Sequence, residues 1–363
     1  MEKESCSVEN LVKNFYKNKK VLITGVTGFK GAWLCTWLKK LNANILGIGF
    51  SPNKNKNLFY SLKLNKEIEL HLLDIKNVKK LKKIIFNFKP EIIFHLAAQP
   101  LILTSYQKPY LTFLTNTVGT LNILESIKDA NFVKSVICVT SDKCYQNNFS
   151  KIGFKESDKL GGDDPYSASK ASAEIVVNSY YQSFFKNKIN KIGVASARAG
   201  NVIGGGDWSE NRLIPDAIRS IIKNKVIKIR NPKFNRPWQH VLEPLYGYLV
   251  LGYKLYYKPN LYSGSWNFGT EKNNIFTVKQ IVENIIKFWG FGRMFVSKNF
   301  KFYEQENLQL NINKAKIHLN WKPKLSVRES IKFTVDWYKK VLVEKCSPEK
   351  ITNDQINKYI NDY

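Results

Sequence analysis

The chain has 363 residues, of which 44% are hydrophobic, enough for one large or two modest domains with a sizeable core; no apolar run reaches the roughly 18 residues a membrane span needs. Its formal net charge of +28 raises the question of nucleic acid, but the lysines are spread along the whole chain among Asn and Ile, and no zinc-finger, RRM or KH signature accompanies them, so no nucleic-acid partner is expected. Cys6, Cys35, Cys138, Cys144 and Cys346 are scattered, with no Cys-x-x-Cys pair, which argues against a disulfide framework or a metal site. The start, Met1–Lys20, is polar and lacks an apolar signal-peptide core, so a cytoplasmic protein is expected.

In chain order, Lys20–Thr24 (KVLIT) reads as a buried strand running into Gly25-Val26-Thr27-Gly28-Phe29-Lys30-Gly31 and then an apolar-periodic helix over Ala32–Leu41. Strand, glycine-rich turn and helix together form a dinucleotide cradle. Glycine allows the tight turn and close backbone approach to a pyrophosphate, and the helix N-terminus favours its charge. The candidate cofactor residues here are Gly25, Thr27, Gly28, Phe29, Lys30 and Gly31. A second strand spans Asn44–Phe50. The acidic residue that usually follows it is replaced by Phe50-Ser51-Pro52, so NAD rather than NADP does not follow from that rule. Lys54 and Lys56 read as solvated loop lysines. A third strand, Ile68–Leu73, ends at Asp74-Ile75; Asp74 is either an adenine contact or a helix N-cap. A helix over Val78–Asn87 precedes a strand at Glu91–Leu96, which closes on His95-Leu96-Ala97-Ala98-Gln99. The small Ala97 and Ala98, with Gln99, let the backbone pass close to a cofactor, and His95 reads as structural. Asn116 opens a helix to Lys128, as a cap or a site-support residue.

The strand Lys134–Thr140 delivers Ser141-Asp142-Lys143 to the crevice where open α/β sheets bind ligands. Pro165 fits a helix start, and Tyr166 and Lys170, four residues apart, share a face of the helix Tyr166–Phe185. An ammonium beside a phenol favours the phenolate, so Lys170 is expected to lower the Tyr166 pKa and make it a base. Asp142-Lys143 is a second acid/base pair, more than a simple dehydrogenase needs. A strand at Lys191–Ala197 follows. Strand–helix alternation at this spacing predicts an α/β, Rossmann-type doubly wound parallel sheet. Beyond residue 200 the pattern loosens. Gly204-Gly205-Gly206 and Arg230–Trp238 read as loops, the glycines allowing approach to a substrate. The helix Val241–Tyr256 and the strand Ser265–Phe268 return to the first domain. Val278–Phe288 and Val327–Lys340 are helices of a smaller α/β domain, and the polar tail Ser347–Tyr363 is a short helix or loose. The domains are thus 1–205 with 239–268, binding the dinucleotide, and 206–238 with 269–363, binding the substrate.

These strings resemble the extended short-chain dehydrogenase/reductase superfamily, and within it the nucleotide-sugar 4,6-dehydratases that act on CDP-glucose. The resemblance rests on TGVTGFKGAWL (24–34), HLAAQPL (95–101), TSDKCYQN (140–147), GGDDPYSASKASAE (161–174), RAGNVIGGGDW (198–208), RLIPD (212–216) and RPWQHVLEPLYGYL (236–249). It implies tightly held, recycled NAD, with Asp74, Ile75, Ala97, Ala98, Gln99, Thr140, Tyr166 and Lys170 completing the cofactor contacts. It implies a nucleoside-diphosphate hexose as substrate and a place in deoxysugar, surface-polysaccharide (lipopolysaccharide O-antigen) biosynthesis. Residue by residue, it implies that Tyr166 takes the proton of the sugar 4-hydroxyl while hydride leaves C4, and that Lys170 supports Tyr166. Lys143 would remove the C5 proton, Asp142 protonate the departing 6-hydroxyl, and Ser141 hold the 4-oxygen. Related dTDP-glucose dehydratases carry Glu where Lys143 stands, and a lysine base must be neutral for part of the cycle, so the division between Asp142 and Lys143 is a hypothesis. Arg236, then Arg212, with Asn201 as a polar contact, are the candidates for the diphosphate, because guanidinium forks match phosphate oxygens. Asn116 and His240 complete the candidate substrate contacts, and Arg198 is either a strand-end support or a ligand. The resemblance further implies a homodimer through the helices Asn116–Lys128 and Tyr166–Phe185. A 4-epimerase needs Tyr and Lys but no second acid/base pair, so Asp142-Lys143 argues against it; the intact Tyr166 and Lys170 argue against a non-catalytic nucleotide-binding scaffold.

Overall fold

The computed structural model describes residues 8–50, 57–146, 153–187, 189, 191–229, 231–271, 276–296 and 309–362. Cys6, Lys54 and Lys56 lie outside them. Among the described residues the centre of the molecule is a seven-stranded sheet made of β1 (Lys20–Thr24), β2 (Asn44–Gly49), β3 (Glu69–Leu72), β4 (Ile92–His95), β5 (Ser135–Val139), β6 (Gly193–Ala199) and β7 (Gly264–Phe268), in the order β7-β6-β5-β4-β1-β2-β3. Every neighbouring pair is parallel. The strands are nearly continuous apolar runs because helices cover both faces. Alternate side chains divide between two cores: Val21, Ile23, Phe94 and Ile137 face Trp33, Trp37 and Leu245, while Leu22, Ile93 and Val136 face Ile123, Val177 and Phe185. Strand order reverses between β1 and β4, so the crevice at their carboxyl ends is the ligand position of an open α/β sheet.

Each expected strand of this sheet is present, with ends shifted by a residue or two. The helix expected from Asn116 starts earlier instead, at Pro109, passes through a π-helical turn, Leu114–Val118, that contains Asn116, and continues as Gly119–Ser126. The loose reading beyond residue 200 missed the helix Leu213–Ile222, whose stripe Ile214, Ile218 and Ile221 is buried; Pro215 in its first turn is tolerated there. Of the glycines 204–206, Gly205 and Gly206 are small for packing reasons rather than for substrate approach. A Cβ on Gly205 would enter the Trp337 ring and one on Gly206 would strike Leu58, and of the three only Gly204 lines the large cavity described below. The tail is a full helix, Pro348–Asn361, capped by Ser347. Ile351, Ile356 and Tyr359 bury its one apolar face. Tyr359 sits edge-on to Trp37 at 5.7 Å between centroids and donates to Glu243 Oε2 at 2.8 Å. Among the described residues no helix is long and apolar enough to cross a membrane.

Candidate active site

The carboxyl ends of β1, β4 and β5 open into one cavity of about 1490 Å³. That exceeds the roughly 300–1,000 Å³ of a single drug-sized ligand site and leaves room for a dinucleotide and a second ligand. Gly25 lies at the switch point with φ +70°, where a Cβ would stand 2.6 Å from Ala97 N. A Cβ on Gly31 would collide with the Gly25 carbonyl. Glycine at these two positions is therefore required by the tight turn itself, which packs against Ala97 and against the Gly25 carbonyl. Gly28 caps the helix Phe29–Lys40 without any side-chain hydrogen bond, so the first-turn amides face the cavity as an anion site. Thr27, Phe29, Lys30, Asp74, Ile75, Ala97, Ala98, Gln99 and Thr140 line the same cavity. This cradle fits NAD. Asp74 is not a helix cap: Asn77 caps Val78–Phe88, while Asp74 accepts Lys76 N at 3.0 Å and pairs with Lys76 Nζ at 3.3 Å. Replacing Gly25 by Ala is expected to lower NAD affinity about tenfold to hundredfold, the equivalent of roughly 1–3 kcal/mol of backbone strain; calorimetric titration of NAD checks it.

Ser141, Asp142, Lys143, Tyr166 and Lys170 share the inner wall. Ser141 caps the short turn Asp142–Cys144 and donates to Asp142 Oδ1 at 3.0 Å, and it is also hydrogen-bonded to Tyr166. Asp142 is 3% exposed. Burial raises its carboxyl pKa, against the opposing charges of Lys143, Arg236 and Lys30 and the Ser141 bond. Its Oδ2 has no hydrogen-bond partner among the described residues, and a Cβ on Gly200 would stand 3.1 Å from it. The Tyr166 helix is held by Asp164, which accepts Tyr166 N and Ser167 N at 3.0 Å each. The expected lysine–tyrosine effect is not what this geometry produces. Lys170 Nζ donates to the Val139 carbonyl at 3.2 Å, and burial pushes the Tyr166 phenol up to about 12, with the Asp142 charge adding and Ser141 and Arg212 opposing. Burial lowers Lys170 to about 8. Burial also lowers Lys30 to about 7, helped by the nearby charges of Arg212 and Lys170 and opposed by Asp142.

Asn201, Arg212 and Arg236 also line the cavity. Arg236 is buried and donates to the Asn235 carbonyl at 3.0 Å. Arg212, at the start of the missed helix, pairs with Asp207 at 2.9 Å. Two expected substrate contacts are elsewhere. Asn116 lies outside the cavity lining; its Oδ1 accepts Gln99 N at 2.7 Å and its Nδ2 donates to Gln99 O at 3.1 Å and to Ser169 Oγ at 2.9 Å, pinning the Gln99 segment to the Tyr166 helix. His240 is fully buried between Trp33 and Phe333, its ring held neutral by burial with a pKa near about 3; a β-bridge register pairing it with Ile203 points it into the core. His95 is structural, bonded to Thr24 and Thr120 hydroxyls at 2.7 and 3.1 Å. Arg198 supports the strand end in a buried pair with Glu174 at 2.7 Å. Glu174 was passed over in the sequence, although it continues the Tyr166, Lys170 face by one more turn.

The GDP-mannose 4,6 dehydratase family matches residues 22–334. The chain is 43% identical over 332 residues to the CDP-glucose 4,6-dehydratase of Salmonella typhimurium, covering 90% of this chain and 92% of that protein. Among solved structures, it resembles the dTDP-glucose 4,6-dehydratase of Bacillus anthracis in complex with NAD, with a TM-score of 0.74, 23% identity, and coverage of 89% of this chain and 97% of that one. An epimerase from Methanothermobacter thermautotrophicus gives a TM-score of 0.80 at 22% identity, covering 94% and 99%; both structures share the fold. With a cradle that fits NAD and a match spanning most of its length, the chain belongs to the GDP-mannose 4,6 dehydratase family of nucleotide-sugar enzymes.

Proposed function

We propose that this protein catalyses the NAD-dependent 4,6-dehydration of CDP-glucose to CDP-4-keto-6-deoxyglucose. The observation that carries this is the presence of Asp142 and Lys143 beside Tyr166 on one wall of a two-ligand cavity. Gly25, Gly28, Gly31 and the first-turn amides of Phe29–Lys40 would hold NAD, whose chemistry when bound is reversible hydride acceptance, from C4 and to C6. Tyr166, in the phenolate form that Ser141 and the Arg212 charge favour against burial, takes the proton of the 4-hydroxyl, and Ser141 holds the 4-oxygen. The resulting 4-ketone acidifies C5, where Lys143 removes the proton. Asp142, whose acid form burial favours, protonates the 6-hydroxyl, which leaves as water. Lys143 then returns its proton to C5. One proton is left on Tyr166 and one is missing from Asp142; Ser141, bonded to both, lies between the two groups that must reset. Arg236 and Arg212, with Asn201, hold the diphosphate.

Residues 1–205 with 239–268 carry the cofactor in this reading, and 206–238 with 269–363 the nucleotide sugar; β7 in the main sheet supports the first part of that division. A homodimer through the helical faces that expose Val118, Ile175 and Phe184 completes it. Incubation of the protein and NAD with CDP-, dTDP-, UDP- and GDP-glucose in parallel tests the reading: mass loss of one water with CDP-glucose is expected. Water loss with another nucleotide alone overturns the base assignment, and a mass-neutral isomer overturns the dehydratase.

A further inference from the structure

The turn bearing Ser141, Asp142 and Lys143 is held at both ends by one buried charge pair. On the entering side, Thr140 Oγ1 donates to Glu174 Oε1 at 2.5 Å. On the leaving side, Tyr145 receives a hydrogen bond from Arg198 Nη1 at 2.7 Å and donates to Asn267 Oδ1 on β7 at 2.7 Å. Glu174 Oε2 joins the two halves, accepting Arg198 Nη2 at 2.7 Å and Ser196 Oγ on β6 at 2.6 Å. Glu174 and Arg198 are each 3% exposed. A buried pair of this kind costs desolvation that an apolar pair would avoid, so its presence calls for a role beyond stability. Neither residue lines the cavity; both lie buried behind its wall.

We propose that Glu174 and Arg198 are positioning residues that clamp the Ser141–Asp142–Lys143 turn from both sides and present the Glu174 carboxylate to Lys170, one helical turn earlier. This rests on the dehydratase reading of that turn. The titratable groups whose charges act on Lys170 are Glu174 on its own helix, Cys138 on β5 and Cys144 on the clamped turn, and its own charge acts on His95 and Lys30. Glu174 is foremost among the groups favouring its ammonium, against burial. Removal of the Glu174 charge therefore makes Lys170 lose its proton at lower pH, and with it the positive charge in the cavity lining that, in this proposal, holds the cofactor rather than serving the Tyr166 phenol.

The test uses the full-length protein with NAD and CDP-glucose. Thr140→Val, which keeps the ion pair but cuts its link to the turn, is expected at saturating NAD to lower kcat about tenfold to hundredfold through misplacement of the turn, with the KM for CDP-glucose and the pH profile unchanged. Glu174→Gln is expected to lower kcat and also move the alkaline limb of its pH profile, near about 8 in the parent, downward by about one unit. Glu174→Asp restores the limb. A merely structural pair would change stability without moving the limb. Folded Thr140→Val and Glu174→Gln proteins that keep kcat within about twofold, with the limb in place, overturn the proposal; if Glu174→Gln does not fold, Thr140→Val decides alone. A parent that turns over no nucleotide sugar sinks the proposed function instead. The clamp is then read from the pH dependence of NAD affinity, and an unmoved dependence in Glu174→Gln, or in Glu174→Asp where the amide does not fold, overturns it.

Discussion

Tyr166→Phe is expected to bind NAD and CDP-glucose like the parent yet turn over roughly a thousandfold more slowly, within the range set by loss of a positioned acid/base group. The substitution removes one oxygen from a side chain that is 8% exposed and packed in the inner wall, so the fold survives. What is lost is the acceptor for the 4-hydroxyl proton, and with it the 4-ketone that every later step requires. No release of water should be detectable from a first turnover. Steady-state kinetics and calorimetric binding, run on the same preparation, separate this from a folding defect: parental Kd values with kcat within about twofold of the parent would remove Tyr166 from the chemistry.

The second large effect separates the two neighbours in the turn. Lys143→Ala is expected to stop the uptake of solvent deuterium at C5 and, with it, water loss, by about a hundredfold or more. Asp142→Asn is expected to slow water loss by a similar factor while C5 exchange continues, because the amide cannot deliver a proton to the leaving oxygen and the C5 base remains. The assignment follows from surroundings rather than order in the chain. Asp142 is enclosed, with one carboxyl oxygen unpartnered among the described residues and its acid form favoured by burial, which suits a proton donor. Lys143 is less enclosed. Exchange at C5 that is lost in Asp142→Asn and kept in Lys143→Ala would reverse the two roles.

The parallel sheet, the glycine cradle and the Tyr166/Ser141 wall were legible because each rests on local pattern: apolar strand runs, glycine where backbone must pass close to Ala97, and an i, i+4 pair. What the sequence hid depends on direction in space. Asn116 and His240 sit inside telling strings, yet the π-helical turn aims Asn116 at Gln99 and Ser169, and the bridge to Ile203 turns His240 inward. Spacing places Lys170 near Tyr166 but does not reveal that its ammonium is engaged by the Val139 carbonyl or that burial dominates the phenol. The C-terminal helix looked loose because its composition is polar; one buried face holds it, with Tyr359 against Trp37 and with Thr352 and Gln355 bonded to Trp337 and Phe333. Glu174 escaped notice because its partners, Thr140, Ser196 and Arg198, come from two strands distant in the chain.

The most direct measurement of the central claim uses CDP-glucose carrying deuterium at C4, with the product analysed by mass spectrometry and NMR. A 4,6-dehydration predicts a 4-keto-6-deoxy product that has lost one water and carries the deuterium at C6. A product of unchanged mass with deuterium still at C4, or a dehydrated product from which the label has gone to solvent, would contradict it.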